Sequence, residues 1–130
     1  MTTEIEKQVP TILIVDDVLD SLVMISLTLQ SMGFRVLTAE NGRNAIEVAR
    51  LACPDLILMD IHMPELDGLA ATRRLREQTE LQKIPVVALT AFSTEGFQKA
   101  AFDAGLDGYL TKPVDFERLI KLINTLIDRE

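Results

Sequence analysis

The sequence predicts an α/β domain with a doubly wound, five-stranded parallel sheet and five helices. Three observations predict it. Short apolar runs recur along the 130 residues. Segments of helical spacing separate them. Polar, chemically capable residues stand directly after most of the runs.

The elements follow in order. "TILIV" at 11–15 is a β-branched apolar run and reads as a buried strand. Residues 18–32 read as a helix with Gly33 as its left-handed cap. "FRVLTA" at 34–39 reads as the second strand. Asn41-Gly42 turns the chain into a helix that runs to about Cys53. "DLILM" at 55–59 is the third strand, and residues 68–78 form a helix with exposed arginines. "IPVVALT" at 84–90 is the fourth strand. A weaker helix, with Gly96 near its start, covers 94–104 and ends at Gly105. "DGYLT" at 107–111 is the fifth strand. Asp115 caps a last helix whose Phe116, Leu119, Ile120 and Ile123 share one face.

Apolar strands joined by helical crossovers demand a parallel sheet covered on both faces. Right-handed crossovers make the doubly wound sheet the simplest solution. A closed eight-stranded barrel needs roughly twice this length.

Bulk composition narrows the function. The net charge is −7, with no basic cluster, which disfavours nucleic acid and anionic membranes as partners. The start "MTTEIEKQVP" lacks the apolar core of a signal peptide, and no apolar run reaches membrane-spanning length. The single cysteine, Cys53, has no internal disulfide partner. It reads as a small buried hydrophobe near a helix end. A cytoplasmic protein is expected. Residues 1–10 are polar and are expected to fray, leaving one domain over 11–130.

In doubly wound sheets, ligands bind at the carboxyl ends of the strands, near the point where strand order reverses. Strand one ends at Asp16-Asp17, strand three at Asp60 and strand four at Thr90; Lys112 follows strand five. Each has a plain structural reading. An Asp after a strand often starts a turn, Thr suits strands, and lysines are usually solvated. Core building, however, does not call for three carboxylates, a hydroxyl and an amine at one edge. Clustered carboxylates repel unless a cation intervenes. Without a Cys or His cluster, zinc and copper fit poorly. All-oxygen ligation fits Mg²⁺, with Mn²⁺ as the alternative. A carboxylate can also accept a phosphoryl group covalently.

With "VDD" at 15–17, "LILMDIHMPELDG" at 56–68, "ALTA" at 88–91 and "YLTKP" at 109–113, the chain resembles the receiver domain of two-component response regulators. The likeness spans roughly 11–127 and implies the flavodoxin-like strand order 2-1-3-4-5. It implies Asp60 as phosphoacceptor. It implies Asp16, Asp17, Asp60 and the backbone carbonyl of His62 around Mg²⁺, with Asp16 acting mainly through water. Thr90, Ala91 and Lys112 would meet the phosphate. Thr90 and Tyr109 would form a coupled switch, and Lys112-Pro113 a cis peptide. Partners implied are a sensor histidine kinase or histidine phosphotransfer protein, and a downstream protein on the helix 4, strand 5 and helix 5 face. The expected form is a stand-alone, non-enzymatic regulator, monomer or weak dimer, that assists its own phosphorylation and dephosphorylation.

Other readings remain open at this point. The chain could carry phosphate onward in a relay. Metal-dependent phosphatases also place a nucleophilic Asp at a strand end, but usually with a second Asp two residues later, where this chain has His62. A flavin or nucleotide module would want a glycine-rich loop where "DDVLD" stands. A degenerate receiver used as a scaffold would not need the complete set. The His62 side chain is a poor Mg²⁺ ligand; His62 and Phe92 are instead expected to flank the acyl phosphate. The first helix is unusual. Leu22, Ile25, Leu29 and Met32 make a core stripe, yet Leu19, Val23 and Leu27 are apolar too. Either the helix is deeply buried, or it presents a docking face to a kinase or phosphotransfer helix.

Overall fold

The computed structural model describes residues 9–61, 67–91 and 95–127, with side chains of the fourth helix described from Gln98 onward. The strands are β1 Thr11–Val15, β2 Arg35–Ala39, β3 Leu56–Asp60, β4 Val86–Thr90 and β5 Gly108–Thr111. The helices are α1 Leu19–Ser31, α2 Gly42–Ala52, α3 Gly68–Arg76, α4 Glu95–Asp103 and α5 Phe116–Ile127. All strand pairs are parallel, in the order β2-β1-β3-β4-β5. The doubly wound architecture and its strand order are therefore as the sequence implies.

Alternation along the strands explains why both faces must be covered. Leu13 and Val15 of β1 join Ile57 and Met59 of β3 in a core beneath α2, α3 and α4. Ile12, Ile14, Leu56 and Leu58 face the opposite way, beneath α1 and α5. Every residue of β3 and β4 is buried. Sequestering each of these Leu or Ile side chains contributes about 2 kcal/mol. The sheet is consequently a stiff platform.

Local chemistry fixes the helix ends. The Asn41 side chain accepts from the Asn44 amide at 2.9 Å, and Asp67 accepts from the Ala70 amide at 2.8 Å. Asp115 Oδ1 accepts from Glu117 N at 3.1 Å, the cap the sequence predicts. Gly33, beyond α1, takes φ of +97°, which a side chain would disfavour.

Three expectations need correction. Cys53 is exposed, not buried. It closes α2 in a left-handed conformation, φ 46°, with its amide bonded to the Ala49 carbonyl. Met32 is exposed, because α1 ends one residue earlier, at Ser31. Arg76 is not a solvated helix arginine: its guanidinium bonds the carbonyls of Gly105, Gln82 and Ile84 and the carboxylate of Asp107. On α1, only Leu22, Ile25 and Leu29 are buried, while Leu19 is 65% and Leu27 61% exposed. Among the described residues, no helix is long and apolar enough to cross a membrane.

Candidate functional site

The strand order reverses between β1 and β3. Their carboxyl ends are adjacent in register, with Val15 opposite Met59. Whatever follows Val15 therefore meets whatever follows Met59. Those residues are Asp16, Asp17 and Asp60. One carboxylate oxygen from each lies within 4.8 Å of the other two. Asp16 and Asp60 are buried and Asp17 is exposed, so the cluster is open to solvent at Asp17.

Asp16 is held from both sides. Its Oδ1 accepts from the Val18 amide at 2.9 Å, which also tethers the start of α1. Its Oδ2 lies 3.5 Å from Lys112 Nζ. Lys112 reaches Asp60 as well, with Nζ 3.6 Å from Oδ2. These are ion-pair separations longer than a good direct hydrogen bond. Two of the three carboxylates thus share the Lys112 ammonium. The Lys112-Pro113 peptide is cis. The Lys112 amide donates to the Thr90 carbonyl at 2.8 Å, so β4 delivers the backbone that carries the lysine.

Thr90 is fully buried at the end of β4 and pairs in register with Thr111. Ala91 follows it and is exposed. Tyr109 sits apart from the acidic cluster, two positions before Thr111 on β5. It is half-buried and lines a 280 Å³ cavity with Leu110, Thr111 and Arg118. A larger groove of 440 Å³ continues along this edge between α4, β5 and α5, lined by Phe102, Tyr109 and Lys121 among others. His62, Pro64 and Phe92 lie outside the described residues.

The donor set fits a hard cation. All three side chains offer carboxylate oxygen, at a spacing one ion can span. Neighbouring negative charge without such an ion is costly when two of the three groups are buried. An acidic cluster answered by one lysine, at the switch point of a doubly wound sheet, defines a class of small α/β domains whose ligand edge is built from carboxylates.

Comparison with known proteins narrows that class. A model of the response regulator receiver domain matches residues 12–124, and the chain belongs to this family. It is 42% identical over 116 residues to protein PilH of Pseudomonas aeruginosa, covering 89% of this chain and 96% of PilH. It is 37% identical over 99 residues to the polar-differentiation response regulator DivK of Brucella anthropi, covering 76% of this chain and 80% of that protein. Among solved structures, the receiver domain of the Pseudomonas aeruginosa sensor histidine kinase PA1611, which has magnesium in its active-site cleft, superposes with a TM-score of 0.85 at 34% identity. The match covers 92% of this chain and 98% of that one. Chemotaxis protein CheY4 of Vibrio cholerae gives 0.86 at 31% identity, covering 91% and 98%.

Proposed function

We propose that this chain accepts a phosphoryl group on Asp60 in a Mg²⁺-dependent reaction and thereby switches its protein contacts. The observation that carries the reading is the trio Asp16, Asp17 and Asp60 gathered at the strand switch point, with Lys112 beside Asp16 and Asp60. The donor is a phosphohistidine on a sensor kinase or a phosphotransfer protein. An Asp60 oxygen attacks phosphorus as the phosphorus–nitrogen bond breaks. The imidazole keeps the bonding pair and takes a proton from water. The product is an aspartyl phosphate.

Asp16, Asp17, Asp60 and the backbone carbonyl of His62 would hold the cation, Mn²⁺ serving in place of Mg²⁺. When bound, that ion supplies positive charge beside the transferring oxygens. Lys112 adds an ammonium on the Asp60 side, so the chain contributes position and electrostatics more than covalent chemistry. Thr90 and the small Ala91 meet the phosphoryl oxygens from the end of β4. Movement of Thr90 would couple to Tyr109, and the groove between α4, β5 and α5 would carry the change to a downstream protein. The exposed Leu19, Val23 and Leu27 of α1 offer the phosphodonor an apolar docking face. Onward relay of the phosphate is a second use of the same chemistry. A cytoplasmic setting suits the free, exposed Cys53.

Incubation with acetyl phosphate and Mg²⁺, read by intact mass, tests the reading. One phosphoryl mass should appear in the wild type and be lost with EDTA or in Asp60→Ala. No gain in the wild type, or an equal gain in Asp60→Ala, would overturn it.

A further inference from the structure

We infer that Gly68 is a positioning residue for Asp60, an inference that rests on the phosphoacceptor reading above. Gly68 opens α3, and its amide donates to the Ile61 carbonyl at 3.1 Å. Its place in the helix does not call for a left-handed backbone. What demands glycine there is space. A Cβ on residue 68 would lie 2.6 Å from the Asp60 carbonyl oxygen, 2.9 Å from Ile61 Cα and 2.8 Å from Ile61 Cδ1. Two of these three atoms are backbone, which cannot swing aside as a side chain end can.

Both sides of the contact are anchored. On one side, β3 is the central strand, and the Ile61 amide donates to the Leu89 carbonyl at 3.1 Å. On the other, Thr72 Oγ1 donates to the Gly68 carbonyl at 2.7 Å from within the core, and Asp67 caps the same turn. Leu75 is fully buried and Arg76 is bonded to five partners outside its own helix. A methyl group at 68 must therefore strain this contact and, with it, the Asp60–Ile61 peptide. That peptide carries the nucleophile. Gly68 lets the first turn of α3 sit directly on it and hold the Asp60 carboxylate toward Asp16, Asp17 and Lys112.

Gly68→Ala tests this, with Gly33→Ala as the control. Gly33 has φ of +97° and nothing within 4 Å of an added Cβ, so its replacement strains the backbone far from the acidic cluster. Folding is checked by circular dichroism and cooperative melting. Function is read twice, as phosphorylation by acetyl phosphate and as Mg²⁺ affinity by calorimetry. In Gly68→Ala the maximal phosphorylation rate should fall on the order of a hundredfold. The acetyl phosphate concentration at half-maximal rate should stay within about twofold, and Mg²⁺ should bind more weakly. Gly33→Ala should lose stability and keep both properties. If Gly68→Ala does not fold, Thr72→Val replaces it, since it removes only the bond to the Gly68 carbonyl; its rate should fall about tenfold. A folded Gly68→Ala, or Thr72→Val in its place, with wild-type rate and Mg²⁺ affinity overturns the inference. Should the wild type itself accept no phosphoryl group, the phosphoacceptor reading fails, and unchanged Mg²⁺ affinity in the variant still decides against Gly68.

Discussion

The two edges of the sheet use the same residue types for opposite ends. At the amino edge, charge is satisfied at short range. Asp107 accepts from Arg76 at 2.8 Å and from the Val86 amide at 2.9 Å, and Asp55 accepts from the Thr11 amide at 2.8 Å. Arg76 spends its other donors on the carbonyls of Gly105, Gln82 and Ile84. At the carboxyl edge, Asp16, Asp17 and Asp60 cluster together, and Lys112 reaches Asp16 and Asp60 at 3.5 and 3.6 Å. The first edge closes the fold. The second leaves negative charge that a cation and a phosphoryl group would answer. A carboxylate at a strand end is informative only once its partners are counted.

Substitutions should separate the two edges. Arg76→Ala carries the largest stability effect, because it strips four carbonyls and one carboxylate of their donor. It should cost about 2 kcal/mol, discounted for partial exposure, and leave phosphorylation by acetyl phosphate unchanged. Thermal melts and intact mass on one preparation decide it. A variant as stable as the wild type would show that the amino edge does not need this clasp. Asp17→Asn should act the other way. Removing one exposed carboxylate from the cluster should stabilise the metal-free protein slightly, by about 0.5 kcal/mol, while weakening Mg²⁺ binding and phosphorylation. Loss of stability in Asp17→Asn without metal would argue that the acidic cluster is itself structural. The smallest effect on stability is expected of Leu27→Lys on α1. It should slow phosphotransfer from a histidine phosphotransfer protein but not from acetyl phosphate. Equal rates from both donors, matching wild type, would remove the docking role of that face.

Much of this was legible in the sequence. Strands one, three and four are contiguous apolar runs and strand two alternates, so the number and order of strands along the chain could be read directly. The strand ends placed Asp16, Asp17, Asp60 and Lys112 at one edge before any geometry was available. Less legible was whatever depends on contacts distant in sequence. Arg76 looks like a solvated helix residue until α3 is brought against Gly105 and Asp107; a helix-terminal Arg paired with a Gly-x-Asp before the last strand is the signal that could have found it. Gly68 reads only as the start of a helix, because sequence does not say how near a backbone lies. The outer side of α1 was ambiguous, since a helix apolar all round has no pattern to tell the buried face from the exposed one. Cys53 followed the general tendency of cysteine to be buried, which the left-handed exit from α2 overrides.

The most direct measurement is to locate the phosphoryl group. The protein is phosphorylated with acetyl phosphate and Mg²⁺, treated with borohydride to convert an aspartyl phosphate to homoserine, and sequenced by peptide mass spectrometry. The account predicts homoserine at position 60 alone. Homoserine at position 16 or 17, or phosphate retained on a hydroxyl or imidazole elsewhere, would contradict it.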